Sequence, residues 1–199
     1  MQQLYAISDE ILTPYSTIHS QLQTALRAGV SIFQLRDKTH TDSEIASLTY
    51  ELAALCRQHN ARFVLNDRYE LALRLNVGVH LGKDEIHKLD PSESATLPYL
   101  GISCYDSLEN AKQAKALGAD YVAFGSCFDS PTKPAAVRAP LALFEQALPL
   151  GIPLCAIGGI TPKNAKFLKN ADILAVITAL WRGDIAQNVA QFFEAMRAN

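Results

Sequence analysis

Short apolar runs alternate with longer amphipathic segments along the whole chain. The short runs are rich in Val, Ile, Leu, Phe and Tyr and are too brief for helices, which is typical of buried parallel strands. There are eight of them, at residues 4–7, 31–35, 62–65, 78–81, 99–102, 121–124, 153–157 and 173–177. The pattern therefore predicts eight strands.

The segments between these runs have helical spacing of their apolar residues. They predict helices over residues 15–28, 42–59, 68–75, 107–117, 141–148 and 184–197, with a further helix opened by Thr161 and Pro162 as capping residue and first helical residue. Residues 85–97 include Pro91 and predict only a turn of helix or an irregular loop. Eight strand–helix units in succession predict an α/β fold, a single-domain (β/α)8 TIM barrel over residues 1–199. An open doubly wound sheet is the competing arrangement.

Composition narrows the class of protein. The 199 residues are 49% hydrophobic and 19% charged, as in a globular domain, and the net charge is −2. This balance argues against a nucleic-acid partner or a membrane surface, although a local basic pocket is still allowed. The first residues do not resemble a signal peptide and no apolar stretch approaches the length of a membrane helix, so we expect a cytoplasmic protein. The four cysteines form no CxxC pair and are expected to be buried, reduced thiols.

Polar residues gather where the predicted strands end. In a TIM barrel the chemistry belongs at the carboxyl ends of the strands, and those ends all open on one rim. Gln34, Arg36 and Lys38 follow the second strand, and the two cations suit phosphate oxygens. The alternative for this segment is a surface ion pair of Arg36 with Asp37.

Acidic residues follow the third and fourth strands. Asp67 comes after Asn66, and Asp84 and Glu85 follow the fourth strand. Carboxylates that act together with substrate phosphate oxygens are what Mg²⁺ prefers. Capping of the following helices is the alternative for Asp67 and Asp84. The sequence predicts a magnesium and diphosphate site here if the two strand ends are adjacent.

The later strand ends add groups suited to phosphate. Ser130, Thr132 and Lys133 lie in a proline-bounded loop, which could also be an ordinary turn. Gly158 and Gly159 follow the seventh strand, where backbone N–H groups can approach an anion closely, and Thr178 follows the eighth. His80, at the end of the fourth strand, is better explained as a hydrogen-bonded structural residue than as a catalytic base.

These segments resemble the thiamine phosphate synthase (thiamine-phosphate pyrophosphorylase) family, in the family's order and along nearly the whole chain. The matching residues are 4–9, 34–38, 63–67, 78–82, 101–103, 118–125, 131–134 and 156–162. The resemblance implies a (β/α)8 barrel and a transferase that joins a hydroxymethylpyrimidine diphosphate to a thiazole phosphate and releases diphosphate. It also implies a dissociative substitution that depends on Mg²⁺.

The resemblance further implies roles for individual residues. Catalytic roles fall on Arg36, Lys38, Ser103 and Lys133, and metal binding on Asp67 and Glu85. Substrate binding falls on Gln34, Arg36, Lys38, Asn66, Ser103, Ser130, Thr132, Lys133, Gly159, Ile177 and Thr178. Among these, Ser103 corresponds to the pyrimidine contact, while Ser130 and Thr132 correspond to hydroxyls that bind the thiazole phosphate.

Departures from the family pattern leave several functions possible. The family usually has Gln followed by two acids where this chain has Lys83, Asp84 and Glu85, so either acid could be the ligand and metal affinity is in question. The related thiazole tautomerases often carry His where this chain has Ser126, which argues against that activity. A sugar-phosphate isomerase and a non-catalytic paralogue that binds the ligands are two further possibilities. The sequence does not decide whether the chain forms a homo-oligomer.

Overall fold

A closed barrel of eight parallel strands forms the centre of the molecule. The computed structural model describes residues 2–82, 85–129 and 138–197. The strands are β1 (Gln3–Ile7), β2 (Ile32–Leu35), β3 (Arg62–Asn66), β4 (Gly78–Leu81), β5 (Leu100–Tyr105), β6 (Tyr121–Phe124), β7 (Leu154–Ile157) and β8 (Ile173–Val176). They are hydrogen-bonded in chain order, and β1 pairs with β8 to close the ring. The predicted TIM barrel is therefore confirmed, and the open sheet is excluded.

Helices surround the barrel. The described ones are α1 (Ile18–Ala28), α2 (Asp42–Gln58), α3 (Tyr69–Leu75), α4 (Pro91–Ser94), α5 (Leu108–Ala116), α6 (Ala142–Ala147), α7 (Pro162–Ala165), α8 (Thr178–Trp181) and α9 (Ile185–Arg197). Single 3-10 turns cover Ile86–Lys88 and Leu148–Leu150. Among the helices of the described ranges, none is long and apolar enough to cross a bilayer.

Most element boundaries follow the sequence pattern, and the differences have local causes. Helix α1 begins three residues later than predicted, because the Pro14 carbonyl accepts hydrogen bonds from the N–H groups of Thr17 and Ile18 in a turn that precedes it. Strand β5 runs on to Tyr105 through an irregular pairing with β6. The short helix α8 directly follows the last apolar run and is not predicted, because four residues are too few to show a helical period.

Strand residues alternate between two cores, one inside the barrel and one beneath the helices. On β1, Tyr5 and Ile7 belong to the interior cluster, whereas Leu4 and Ala6 pack against the helices. This alternation follows from the two-residue repeat of a strand. All four cysteines are free and buried, as predicted, and burial raises the pKa of the Cys56 thiol to about 12.

Candidate active site

Three of the predicted site residues, Gln34, Asn66 and Ser103, project into the barrel from strand ends. Each lies an even number of residues after a member of the interior cluster, namely Ile32, Val64 and Tyr99 respectively. They therefore face inward near the carboxyl ends of β2, β3 and β5. Gln34 is buried, while Asn66 and Ser103 are partly exposed. The structure thus brings these three residues to one mouth.

The residues after β2 are held in place through their main chain. The Arg36 N–H donates to Ser8 Oγ at 2.8 Å, and the Lys38 N–H donates to Glu10 Oε1 at 3.3 Å. Arg36 is half-buried and Lys38 is exposed. Among the described residues neither side chain forms a salt bridge. The predicted alternative, an ion pair of Arg36 with Asp37, does not form.

Asp37 instead anchors the loop between β2 and α2. Its buried carboxylate accepts hydrogen bonds from Tyr15 Oη at 2.5 Å, the Thr39 N–H at 3.0 Å and the His40 N–H at 2.7 Å. His40 Nδ1 at 2.8 Å and Arg68 Nη2 at 3.3 Å complete the set. Burial alone would raise the pKa of Asp37, but the hydrogen bonds from Tyr15, His40 and Thr39 outweigh it and lower the pKa to about 2. The hydrogen bond to Asp37 in turn raises the pKa of His40.

Gly82 contacts the side chain of Asp67 and the main chain of Glu85, the acidic residues that follow β3 and β4. Asp67 Oδ1 accepts the Gly82 N–H at 3.0 Å, and Asp67 Oδ2 accepts Asn66 Nδ2 at 2.6 Å. The Glu85 N–H donates to the Gly82 carbonyl at 3.1 Å, and the Glu85 carboxylate pairs with Lys88 at 2.5 Å. Asp67 does not cap α3, whose N-cap residue is Arg68 without a side-chain capping bond. The capping alternative for Asp67 is therefore wrong.

Asp67 and Glu85 carry the oxygen donors that a magnesium ion would need. Each Asp67 oxygen has a hydrogen-bond donor but keeps lone pairs for a cation, whereas the Glu85 carboxylate is already paired with Lys88. In the ranges 2–82, 85–129 and 138–197 no three acidic, His or Cys side chains cluster into a complete cage. Binding of Mg²⁺ by these residues therefore remains a prediction.

A line of polar side chains crosses the barrel interior below the mouth. Gln34 Nε2 donates to Tyr5 Oη at 2.7 Å, and Tyr5 Oη lies 3.0 Å from Tyr121 Oη. Tyr121 Oη lies 2.8 Å from His80 Nδ1, and His80 Nε2 lies 2.8 Å from Ser103 Oγ. Burial lowers the pKa of His80 to about 4, so the imidazole is neutral at pH 7. This confirms His80 as a buried, hydrogen-bonded residue.

The glycines after β7 give the backbone a shape that other residues would not allow. Gly158 and Gly159 have φ of 101° and 63°. A Cβ on Gly158 would lie 2.2 Å from Ser126 Oγ, and one on Gly159 would lie 2.3 Å from the Asp129 carbonyl oxygen. Asn164 Nδ2 donates to the Gly159 carbonyl at 3.0 Å and fixes the turn. Both positions therefore require glycine, and the turn lies at the carboxyl end of β7, where TIM barrels commonly bind phosphate.

The remaining predicted residues divide into two groups. Ile177 precedes α8 and Thr178 begins it, so both lie at the carboxyl end of β8 on the same side of the barrel as Gly159. Ser130, Thr132, Lys133, Lys83 and Asp84 lie outside the described residues. The assigned roles of both groups remain predictions.

Several residues of this region are not singled out by the sequence pattern. The pattern predicts nothing more for Tyr5 and Tyr121 than positions on strands. It predicts helix or loop positions for Tyr15, His40 and Arg68. The inward position of Tyr5 and Tyr121 on their strands, together with the need of a buried hydroxyl for a partner, could have marked the first two. The contacts of Arg68 depend on the path of the loop and leave no local pattern.

Comparisons with known proteins agree with this geometry. The family described as thiamine monophosphate synthase matches residues 4–180. The thiamine-phosphate synthase of Wolinella succinogenes is 46% identical over 100% of this chain and 96% of its own length. That of Methylobacillus flagellatus is 42% identical, over 98% of this chain and 95% of its own length. The solved thiamine phosphate pyrophosphorylase of Pyrococcus furiosus superposes with a TM-score of 0.85 at 30% identity, covering 98% of this chain and 96% of that one.

The barrel, the inward polar residues at the ends of β2, β3 and β5, and the glycine turn after β7 occur in the order that the sequence resemblance implies. The family match and the two relatives extend over almost the entire chain. The chain therefore belongs to the thiamine monophosphate synthase family.

Proposed function

We propose that this chain joins 4-amino-2-methyl-5-hydroxymethylpyrimidine diphosphate to 4-methyl-5-(2-phosphooxyethyl)thiazole, forming thiamine phosphate and diphosphate. Membership of the family makes the chain a transferase of thiamine biosynthesis. The observation that supports the assignment of the site most directly is the convergence of Gln34, Asn66 and Ser103 inside one mouth. Arg36 and Lys38 follow the same strand as Gln34 and supply the positive charge that a diphosphate needs. A cytoplasmic location remains a prediction.

The proposed chemistry is a dissociative substitution. The bond between the pyrimidine methylene and the diphosphate oxygen breaks, the electron pair leaves with diphosphate, and the thiazole nitrogen forms the new C–N bond. Arg36 and Lys38, with Lys133, would stabilise the charge that develops on the leaving group. Asn66 would add a hydrogen bond to the diphosphate. Such a reaction needs positioning and charge neutralisation more than a general base, which fits a mouth whose histidine is buried and neutral.

Asp67 and Glu85 would hold Mg²⁺ in this proposal. The ion would supply positive charge to the oxygens of the departing diphosphate. Asp67 is oriented for this by Gly82 and Asn66, and Glu85 would exchange its pairing with Lys88 for the metal. If Asp84 is the ligand instead, Asp84→Ala should raise the Mg²⁺ concentration needed for half-maximal rate, while Glu85→Ala should leave that concentration unchanged.

The thiazole phosphate would bind on the other side of the mouth. The backbone at Gly159, Ile177 and Thr178 would surround its phosphate, and the hydroxyls of Ser130 and Thr132 would complete the contacts. The support is the glycine turn at the carboxyl end of β7, whose positive φ angles and close packing against the loop after β6 require glycine.

Diphosphate release from the two substrates, with and without Mg²⁺, tests the proposed function. We expect release only when both substrates and Mg²⁺ are present, together with stoichiometric thiamine phosphate. Exchange of substrate hydrogen with solvent and no release of diphosphate would indicate an isomerase instead. Binding of both ligands by calorimetry without turnover would indicate a ligand-binding paralogue.

A further inference from the structure

In the line of hydrogen bonds from Gln34 to Ser103, each group donates its proton to the next group along the line. An amide nitrogen can only donate, so Gln34 Nε2 gives its proton to Tyr5 Oη. Tyr5 is fully buried, and among the described residues its hydroxyl has Tyr121 as its second hydrogen-bond partner. If Tyr5 accepted from both neighbours, its own proton would be buried without an acceptor, which is strongly unfavourable. Tyr5 therefore donates to Tyr121.

The hydrogen-bond donors and acceptors between Tyr121 and Ser103 are fixed in the same way. Tyr121 Oη accepts from Tyr5, and its own proton goes to His80 Nδ1 at 2.8 Å. A nitrogen that accepts carries no proton, so the neutral imidazole has its proton on Nε2. That N–H donates to Ser103 Oγ at 2.8 Å. A protonated imidazole does not fit, because Gln34 and His80 would then donate from both ends and one tyrosine proton would have no acceptor.

We propose that this ordered line makes Ser103 a hydrogen-bond donor to the substrate, with Tyr5, Tyr121 and His80 as positioning residues. Ser103 Oγ accepts from His80, so its hydroxyl proton is directed to a different partner, and Ser103 is partly exposed at the mouth. This inference rests on the proposed role of Ser103 as the pyrimidine contact. Ser103 would then select a ring that presents an unprotonated nitrogen, such as an aminopyrimidine, and disfavour one that presents N–H.

The fold makes room for this line. Gly101 lies on the interior side of β5, and a Cβ there would come within 2.0 Å of Tyr121 Cζ. The Tyr121 ring is stacked between Tyr99 and His80, with ring centroids 5.1 Å and 5.6 Å away. Packing on both faces fixes the ring, so the Tyr121 hydroxyl is held between Tyr5 and His80 rather than free to turn.

The tautomer of His80 tests the direction without any activity measurement. In ¹⁵N-histidine-labelled protein at pH 7, with His80 identified by its loss in His80→Gln, we expect the Nε2–H form alone. Tyr121→Phe removes the donor to Nδ1 and keeps the ring, so we expect the Nε2–H fraction to fall. Tyr99→Phe is the matched control and is expected to leave the tautomer unchanged. The Nδ1–H form or an imidazolium in the wild type would overturn the proposal, whether or not the variants fold.

A second variant tests whether Gln34 determines which groups donate along this line of hydrogen bonds. Gln34→Met keeps the length of the side chain but removes the amide donor, so we expect a mixture of His80 tautomers. If the Nε2–H form stays complete, Gln34 does not set the direction. This variant is used only for the spectrum, because Gln34 also has a proposed place in the substrate site.

Binding of the pyrimidine substrate tests the consequence at Ser103. We expect Tyr121→Phe to raise the KM for the pyrimidine diphosphate by about tenfold, the typical effect of one hydrogen bond, and to leave the KM for the thiazole phosphate unchanged. Two pyridine diphosphate analogues, each with one ring nitrogen replaced by C–H, identify the acceptor. One of them should bind the wild type more weakly than the parent compound and lose this difference in Ser103→Ala.

The outcomes separate the two proposals. Equal binding of the parent and both analogues by the wild type would overturn the donor role of Ser103. Absence of diphosphate release with the Nε2–H tautomer intact would refute the proposed function and leave the ordered hydrogen bonds standing.

Discussion

Replacing Asp37 with Asn should weaken the loop that carries Arg36 and Lys38. The variant keeps the shape of the side chain but removes a charge that accepts hydrogen bonds from Tyr15, His40 and Arg68. Tyr15 and His40 can each accept as well as donate, so the geometry can persist while the charge-assisted part of the bonding is lost.

The size of the effect follows from the pKa of Asp37. Its fall from the ordinary 3.8 to about 2 corresponds to at most ~2.5 kcal/mol of stability, at ~1.4 kcal/mol for each pK unit. Asp37 is buried, but its partner His40 is exposed to solvent, which screens their interaction, so we expect about 1–1.5 kcal/mol for Asp37→Asn. Asp37→Ala leaves the donors without an acceptor and should cost more, about 2–3 kcal/mol.

The difference in stability between wild type and Asp37→Asn depends on pH. The pKa of Asp37 is lowered by folding, so its contribution is present above pH about 4 and is lost as the pH falls toward 2. The pKa of His40 is raised by folding, so its contribution is complete below its ordinary pKa of 6.5 and is lost as the pH rises through the higher folded value. Wild type and Asp37→Asn should therefore differ more at pH 6 than at pH 9.

Urea unfolding at pH 6 and pH 9, combined with the KM for the pyrimidine diphosphate, measures both effects. Loosening of the loop should raise that KM, because Arg36 and Lys38 flank the substituted residue. Asp42→Asn is the matched control, since Asp42 pairs with the same Arg68 but is 41% exposed, and it should cost less than about 0.5 kcal/mol. An Asp37→Asn variant as stable as the control, with an unchanged KM, would refute this account of the loop.

Three further predictions concern the mouth itself. Arg36→Ala and Lys133→Ala should each lower turnover at least a hundredfold, about 2.7 kcal/mol of transition-state stabilisation, with an unchanged circular dichroism spectrum; wild-type rates in both would exclude the diphosphate site. Glu85→Asp should keep the dependence on Mg²⁺, and Glu85→Ala should raise the Mg²⁺ concentration needed for half-maximal rate. Gly159→Ala should raise the KM for the thiazole phosphate and destabilise the fold by about 1–3 kcal/mol, because its Cβ would lie 2.3 Å from a backbone oxygen. Gly151→Ala has a similar positive φ of 61° but open space around it, so it should show the backbone strain without the change in KM.

The fold can be predicted from the sequence because each strand is buried on both faces. A run such as residues 121–124 is apolar throughout, and the helix that follows each run has its own period, so the alternation is visible locally. The first and last residues of the strands and helices are less predictable. Ile177 belongs to an apolar run that predicts a strand, yet it precedes a helix, since apolar character alone does not distinguish the two over a few residues.

The site can be predicted only where polar residues and strand ends coincide. Gln34, Asn66 and Ser103 are found because each follows or ends an apolar run, and parallel strands bring such positions together. The ion pair of Asp37 with Arg36, its neighbour in sequence, is wrong. The partners of Asp37 come from residues 15, 40 and 68, and loop closure rather than local pattern decides that geometry.

Asp37 and Gln34 show how one strand end is fixed from two sides. Inside the barrel, Gln34 is tied to Tyr5, and outside it Asp37 is tied to Tyr15 on the segment that follows the same strand β1. The two residues enclose Arg36, whose N–H is bound by Ser8 at the end of β1. A cation with a long, flexible side chain gains little selectivity from its own conformation, so its position must come from the main chain. Because the three tethers lead to β1 or to the segment that follows it, a shift of β1 against β2 would move Arg36 and disturb the line to Ser103 together.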